Sequence, residues 1–156
     1  YTLARRGRRA ISPAVENLLN RELTQGLDKT ETFVQFALRV KESGDALRNK
    51  MQEIQGQGKT IAAYGATSKS TTIYNYAGIG PELVDYICDN TPLKQGQFSP
   101  GVHIPIFAED RFRDNPPDYA FLAAWNHEKE LRDHNKAFEI DGGRWITHVP
   151  EVHVLD

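Results

Sequence analysis

The chain has 156 residues, 39% of them hydrophobic and 26% charged, which is enough to bury one substantial core and excludes an extended disordered chain. Its formal net charge of -2 supplies no general field for nucleic acid or an anionic membrane, so neither is an expected partner. No apolar run approaches the roughly 18 residues that a membrane-spanning helix needs.

The chain opens on Tyr1, and its one methionine, Met51, lies inside a helical pattern, so it reads as a piece of a longer protein. Arg5, Arg6, Arg8 and Arg9 have no apolar stretch after them, and no secretory signal is legible. Ser12-Pro13 forms a helix opening, with a hydroxyl cap and a proline at the first helical position; Val15, Leu18, Leu19 and Leu23 share one face, and Gly26 is the stop. A longer helix is predicted from Thr30 to Gln55. Phe33, Phe36, Ala37, Val40, Leu47, Met51 and Ile54 recur at three- and four-residue spacing and mark one buried stripe, opposite a solvated face carrying Arg39, Glu42, Arg48, Lys50 and Glu53. These residues make an N-terminal helical segment, 1–57, expected to pack on an α/β domain, 58–156.

From Gly56-Gln57-Gly58-Lys59 the period changes. Thr60 to Tyr64 is a short apolar run between turn signals, as in a buried parallel strand. A helix from Ser70 to Ala77 and a strand from Val84 to Cys88 complete a β-α-β unit. Cys88 is the single cysteine, so no intrachain disulfide exists; a buried thiol and a reducing cytoplasm are expected. Residues 91–106 are rich in Pro and Gly and read as a long loop of the kind that carries function, with a short extended piece at 103–106. A brief helix over 109–114, a strand over 119–124, a helix capped by Asn126 and ending at Gly142-Gly143, and a strand over 144–149 that residues 151–155 extend complete the chain. Alternating strands and helices predict an α/β fold, a Rossmann-like parallel sheet with flanking helices, which binds ligands at the carboxyl ends of its strands.

Those ends hold the candidate chemistry. In Tyr64-Gly65-Ala66-Thr67-Ser68-Lys69-Ser70 a glycine permits a sharp turn, the hydroxyls of Thr67, Ser68 and Ser70 and the first helical amides face one point, and Lys69 adds positive charge. Such a point suits an anion, above all a phosphate. The loop is neither Gly-x-Gly-x-x-Gly nor a P-loop, so on its own it is equally a structural βα turn. Asp89 lies 24 residues beyond Gly65, close to the roughly 20 at which a Rossmann fold places a ribose-binding acid, and it also begins the turn Asp89-Asn90-Thr91-Pro92. Lys94, Gly96, Gly101 and His103 lie in the long loop, where they could close over a ligand. The five histidines show no metal-like spacing, no nucleophile-base arrangement is legible, and neither cofactor nor metal is expected within the chain.

The run from Tyr64 to Gly80 resembles the signature that opens the C-terminal domain of S-adenosylmethionine-dependent sugar C-methyltransferases. Asp89 to Gly96, Pro100 to Ile106, Ala124-Trp125-Asn126 and Val149-Pro150-Glu151-Val152 match that family in order and spacing, as do Ser12 to Val15. The resemblance implies a domain that helps bind a nucleotide-diphosphate sugar against a central methyltransferase domain of the same parent chain. It places S-adenosylmethionine, zinc and the catalytic base in parts of the parent outside this chain. In that chemistry a base removes a proton next to a sugar carbonyl and the carbanion takes the methyl group. Carried over by residue, the resemblance makes Tyr64, Gly65, Ala66, Ser68, Lys69 and Asn75 substrate contacts, Lys69 pairing a phosphate, with Lys94, His103, Trp125, Asn126 and Glu151 in a second tier. Ser70 departs from the glycine often found there. Two other readings stay open: an interaction domain that packs on a methyltransferase core without binding ligand, and a stand-alone NAD(P)- or CoA-binding domain. The loop's missing second and third glycines argue against the last.

Overall fold

The computed structural model describes residues 2–155. Helix α1 is Pro13–Thr24, opened by Ser12, whose hydroxyl accepts the Ala14 amide at 3.3 Å. Helix α2 is Thr30–Gly56. The chain divides into two compact units, one up to Val40 and one from Lys41 onward, and the division falls inside α2 rather than at its end. The stripe predicted along α2 is buried only at Leu47, Met51 and Ile54; Phe33, Phe36 and Val40 are exposed, and α1 buries no residue.

Six strands form the sheet of the second unit: β1, Ile61–Tyr64; β2, Ile87–Cys88; β3, Ile106–Phe107; β4, Tyr119–Leu122; β5, Arg144–Thr147; and β6, His153–Val154. Their order is β3-β2-β1-β4-β5-β6, with every pair parallel except β5 and β6. The connections carry α3, Ser68–Ala77, α4, Glu109–Asp114, α5, Glu128–His134, and α6, Lys136–Ile140. The α/β fold with an N-terminal helical segment is thus as expected.

All four residues of β1 are buried, because the sheet is covered on both faces. Ile61 and Ala63 point to one side, where they pack with Phe121 and Ile146, with Leu47, Met51 and Ile54 of α2, and with Tyr74 of α3. Ala62 and Tyr64 point to the other side, onto Leu122, Trp145, Phe112 of α4 and Phe138 of α6. There the Phe112 and Phe138 ring centres are 4.8 Å apart, and Phe138 meets Trp145 edge-on at 5.1 Å.

Local chemistry moved several boundaries. The β2 ladder is regular only at Ile87 and Cys88, although Asp85 already donates its amide to the Ile61 carbonyl at 2.9 Å. Asn126 does not cap a helix: it lies in a 3-10 turn, Trp125–His127, and the helix after it breaks at Asn135, whose side-chain amide donates back to the Leu131 carbonyl at 2.8 Å. After β5 the chain reverses past the cis Val149–Pro150 bond, so residues 153–154 do not extend β5 but return antiparallel to it.

The starts of β1 and β4 are joined by Asp118, which accepts hydrogen bonds from the Thr60 amide at 2.9 Å and from Lys59 Nζ at 2.8 Å. Lys59 first, then the Thr60 amide, holds this carboxyl down at about 2, against an ordinary 3.8. A depressed carboxyl stabilises the fold above its unfolded value and loses that contribution as pH falls through its folded value. The urea midpoint is therefore expected to fall from about pH 4 to about pH 2, and Asp118→Asn to flatten that limb of the profile.

Candidate functional site

Gly65 follows β1 with φ 98°, and a Cβ there would lie 3.1 Å from that of Ala124, so this turn rests directly against the end of β4. The Gly65 amide donates to the Cys88 carbonyl at 2.8 Å. Helix α3 begins two residues earlier than expected because Thr67 and Ser70 form a reciprocal cap. Thr67 Oγ1 accepts the Ser70 amide at 3.1 Å, while Ser70 Oγ accepts the Thr67 amide at 2.9 Å and donates to the Thr67 carbonyl at 2.7 Å. Ser70 is accordingly buried, its hydroxyl engaged inside the turn. The amides of Ser68 and Lys69 have no acceptor among the described residues.

Lys69 projects from this helix start toward the turn that follows β4. Its ammonium donates to Asn126 Oδ1 at 3.0 Å and stands 5.4 Å from the centre of the Trp125 ring. No carboxylate pairs with it among the described residues. An uncompensated cation at the positive end of a helix, beside two open amides and a one-third exposed indole, is an anion-binding arrangement with an apolar flank.

Asp89, the first residue after β2, is buried and engaged at both carboxylate oxygens. Oδ2 accepts the Ala66 amide at 2.8 Å and Lys94 Nζ at 2.9 Å, and Oδ1 accepts the Thr91 amide at 2.9 Å. Burial pushes its carboxyl up, but the hydrogen bonds from Thr91, Lys94 and Ala66 outweigh that and hold it below the ordinary carboxylate range. It remains ionised as the clamp of the turn, with Lys94 neutralising it.

The long loop is folded rather than free. After a 3-10 turn at Pro92–Lys94, Ile106 donates its amide to the Gln97 carbonyl at 2.9 Å and Ser99 donates to the Ile104 carbonyl at 2.8 Å. Asn75 of α3 donates to the Pro100 carbonyl at 2.9 Å and to the Thr71 carbonyl at 2.8 Å, pinning the loop tip to the helix. A side chain on Gly101, at φ 85°, would collide with Asn75. His103, at φ 59°, lies exposed beside that tip.

The remaining candidates stand in other surroundings. Tyr64 is buried in the core, its hydroxyl donating to Glu109 Oε1 at 2.5 Å, and burial first, then Glu109, raises its pKa. Glu151 is exposed in the reversal before β6. The structure thus brings Gly65, Ala66, Ser68 and Lys69 together with Trp125 and Asn126, and assigns Thr67, Ser70, Asn75, Asp89 and Lys94 to holding that geometry. It adds His148, at the carboxyl end of β5. Its half-buried ring is 5.4 Å from that of Phe121, its Nδ1 has no hydrogen-bond partner among the described residues, and burial lowers its pKa. The rule that ligands sit at carboxyl strand ends, applied to β5, marks His148 from sequence alone. Burial pushes the Cys88 thiol up to about 12, as befits a structural cysteine rather than a nucleophile.

Among the described residues no group of three or more His, Cys, Asp or Glu side chains is placed to hold a metal ion, and no helix is long and apolar enough to cross a membrane.

Two comparisons with known proteins bear on this arrangement. A family model for the C-methyltransferase C-terminal domain matches residues 1–150. The chain is also similar to the C-methyltransferase NovU of Streptomyces niveus, with 35% identity over 145 residues, covering 93% of this chain and 34% of that protein. It therefore spans about a third of the length of the curated relative it matches.

The Asp89 clamp is directly testable. Asp89→Ala leaves the Ala66 and Thr91 amides without their acceptor, and the expected cost is about 1–3 kcal/mol in a urea titration. A cost below about 0.5 kcal/mol would show that water replaces the carboxylate and that the turn does not depend on it.

Proposed function

Since the chain belongs to the family of C-methyltransferase C-terminal domains, we propose that it is the part of an S-adenosylmethionine-dependent C-methyltransferase that holds a nucleotide-diphosphate sugar. The observation that carries this reading is Lys69, a cation at the start of α3 with no acidic partner among the described residues, within reach of the turn after β4. The diphosphate takes the Ser68 and Lys69 amides and the Lys69 ammonium; the Trp125 face packs on a ring of the ligand, and Asn126 orients it. Binding an anion there exchanges the ammonium's hydrogen bond to a neutral amide oxygen for one to an anionic oxygen. Asp89, Thr67, Ser70 and Asn75 keep the turn in shape, while His103 and Glu151 stand at the outer rim.

Anchoring the diphosphate remote from the reacting carbon is a use of binding energy that positions the sugar for chemistry done elsewhere. Methyl transfer, S-adenosylmethionine and zinc are assigned to the parent's other domains, and a reducing cytoplasm to its compartment. A scaffold reading draws on one observation: most polar groups of the site are already engaged with one another.

Lys69→Ala in the full-length protein separates the two. Binding of thymidine- or uridine-diphosphate sugars, followed by calorimetry, is expected to weaken about 10- to 100-fold with the melting temperature unchanged. The ligand reading fails if S-adenosylmethionine raises the melting temperature of the native protein and neither nucleotide sugar does. Unchanged binding and activity in Lys69→Ala supports the scaffold.

A further inference from the structure

The unit up to Val40 has no core of its own. Among the described residues only Gly26 of this unit is buried, yet the unit carries eleven of the seventeen large apolar residues that stand exposed among them. They are not scattered. Val15, Leu19 and Leu23 recur at helical spacing on α1, and Phe33, Phe36 and Val40 do so on the first turns of α2. The second stripe keeps the spacing of Leu47, Met51 and Ile54 on the same helix, which are buried. A sequence pattern that is cored over the last turns of a helix is bare over its first ones. Exposed apolar surface organised in this way marks an interface, because a segment of this size holds no structure against water without burying such faces.

We propose that the exposed apolar faces of α1 and of α2 before Lys41 are the docking surface for the region of a full-length C-methyltransferase that lies outside this chain. The inference rests on the reading of the chain as the substrate domain of a longer enzyme. Two observations select that occupant. The relative NovU is about three times as long as the stretch this chain matches, so a protein of that size has ample polypeptide to cover both stripes. Residues 2–40 also hold seven Arg and Lys against four Asp and Glu. A second copy would set that positive surface against itself across a two-fold axis, whereas a different surface, apolar with an acidic rim, complements it.

Hydrogen–deuterium exchange on the full-length protein tests it. With Phe33 and Phe36 both replaced by Glu, peptides from the region outside this chain are expected to exchange at least about tenfold faster than in the native protein, while peptides of β1, β4 and β5 keep their rates. Leu19→Glu is expected to act in the same direction, and Ile140→Glu, on an exposed residue of the other unit, to change nothing. Unchanged exchange outside this chain in both stripe variants overturns the inference. So does a native dimer that the double variant splits, or a loss of binding to anionic phospholipid vesicles, without any change in that region. Lys69→Ala read alongside keeps the two proposals apart. If it weakens thymidine diphosphate binding while the stripe variants leave exchange untouched, the docking surface fails and the ligand site stands; the reverse pattern removes the ligand site alone.

Discussion

The carboxylate of Asp89 ties two backbone amides and one lysine side chain together at the carboxyl edge of the sheet. It accepts the amide of Ala66 from the turn after β1, the amide of Thr91 from its own turn, and the ammonium of Lys94 from the start of the long loop. Both of its oxygens are thereby engaged within the fold. The same bonds that keep it ionised also hold the β1–α3 turn close to β2. Lys69, by contrast, projects from the start of α3 with no carboxylate partner among the described residues.

A second constraint acts from the opposite side. Gly65 lies so close to Ala124 that the turns after β1 and β4 meet, and this proximity brings Trp125 and Asn126 within reach of the lysine. Small residues at the contact let two helix-entry turns share one site, as expected at the edge of a doubly wound sheet. Behind the turn, the Thr67-Ser70 cap removes two amides and two hydroxyls from the ligand-facing set and spends them on starting α3. What remains beside the turn is the Lys69 ammonium with the amides of Ser68 and Lys69, which is the arrangement on which the proposed anion site rests.

Much of this was legible before any coordinates. The change from helical to strand-helix periodicity near residue 58, the glycine turn and its lysine, and the four parallel strand signals all follow from local residue pattern, because strands buried on both faces must be short apolar runs. Tertiary contacts changed the meaning of individual polar residues. Ser70 reads as a phosphate donor in a list of hydroxyls and becomes half of a capping box once Thr67 is placed in extended backbone. Asn75, a ligand contact by the family resemblance, donates to the Pro100 carbonyl. The stretch over 91–106 reads as a long loop rich in Pro and Gly, and it is tied by its own backbone pairs, which no local propensity encodes.

The amino-acid sequence by itself determined the α/β class, the order of elements along the chain, the glycine turn between β1 and α3 with its lysine, and the apolar stripes of α1 and α2. Each of these depends on residues within a few turns of one another. It did not determine which polar groups remain free at the site, because that depends on partners far along the chain: Ala66 with Asp89, Lys69 with Asn126, Asn75 with Pro100. Nor did it determine how much of the α2 stripe would be covered. Periodicity says which face of a helix is apolar, and only the tertiary structure, by placing Leu47, Met51 and Ile54 against the sheet and leaving Phe33 and Phe36 exposed, decided where the core ends.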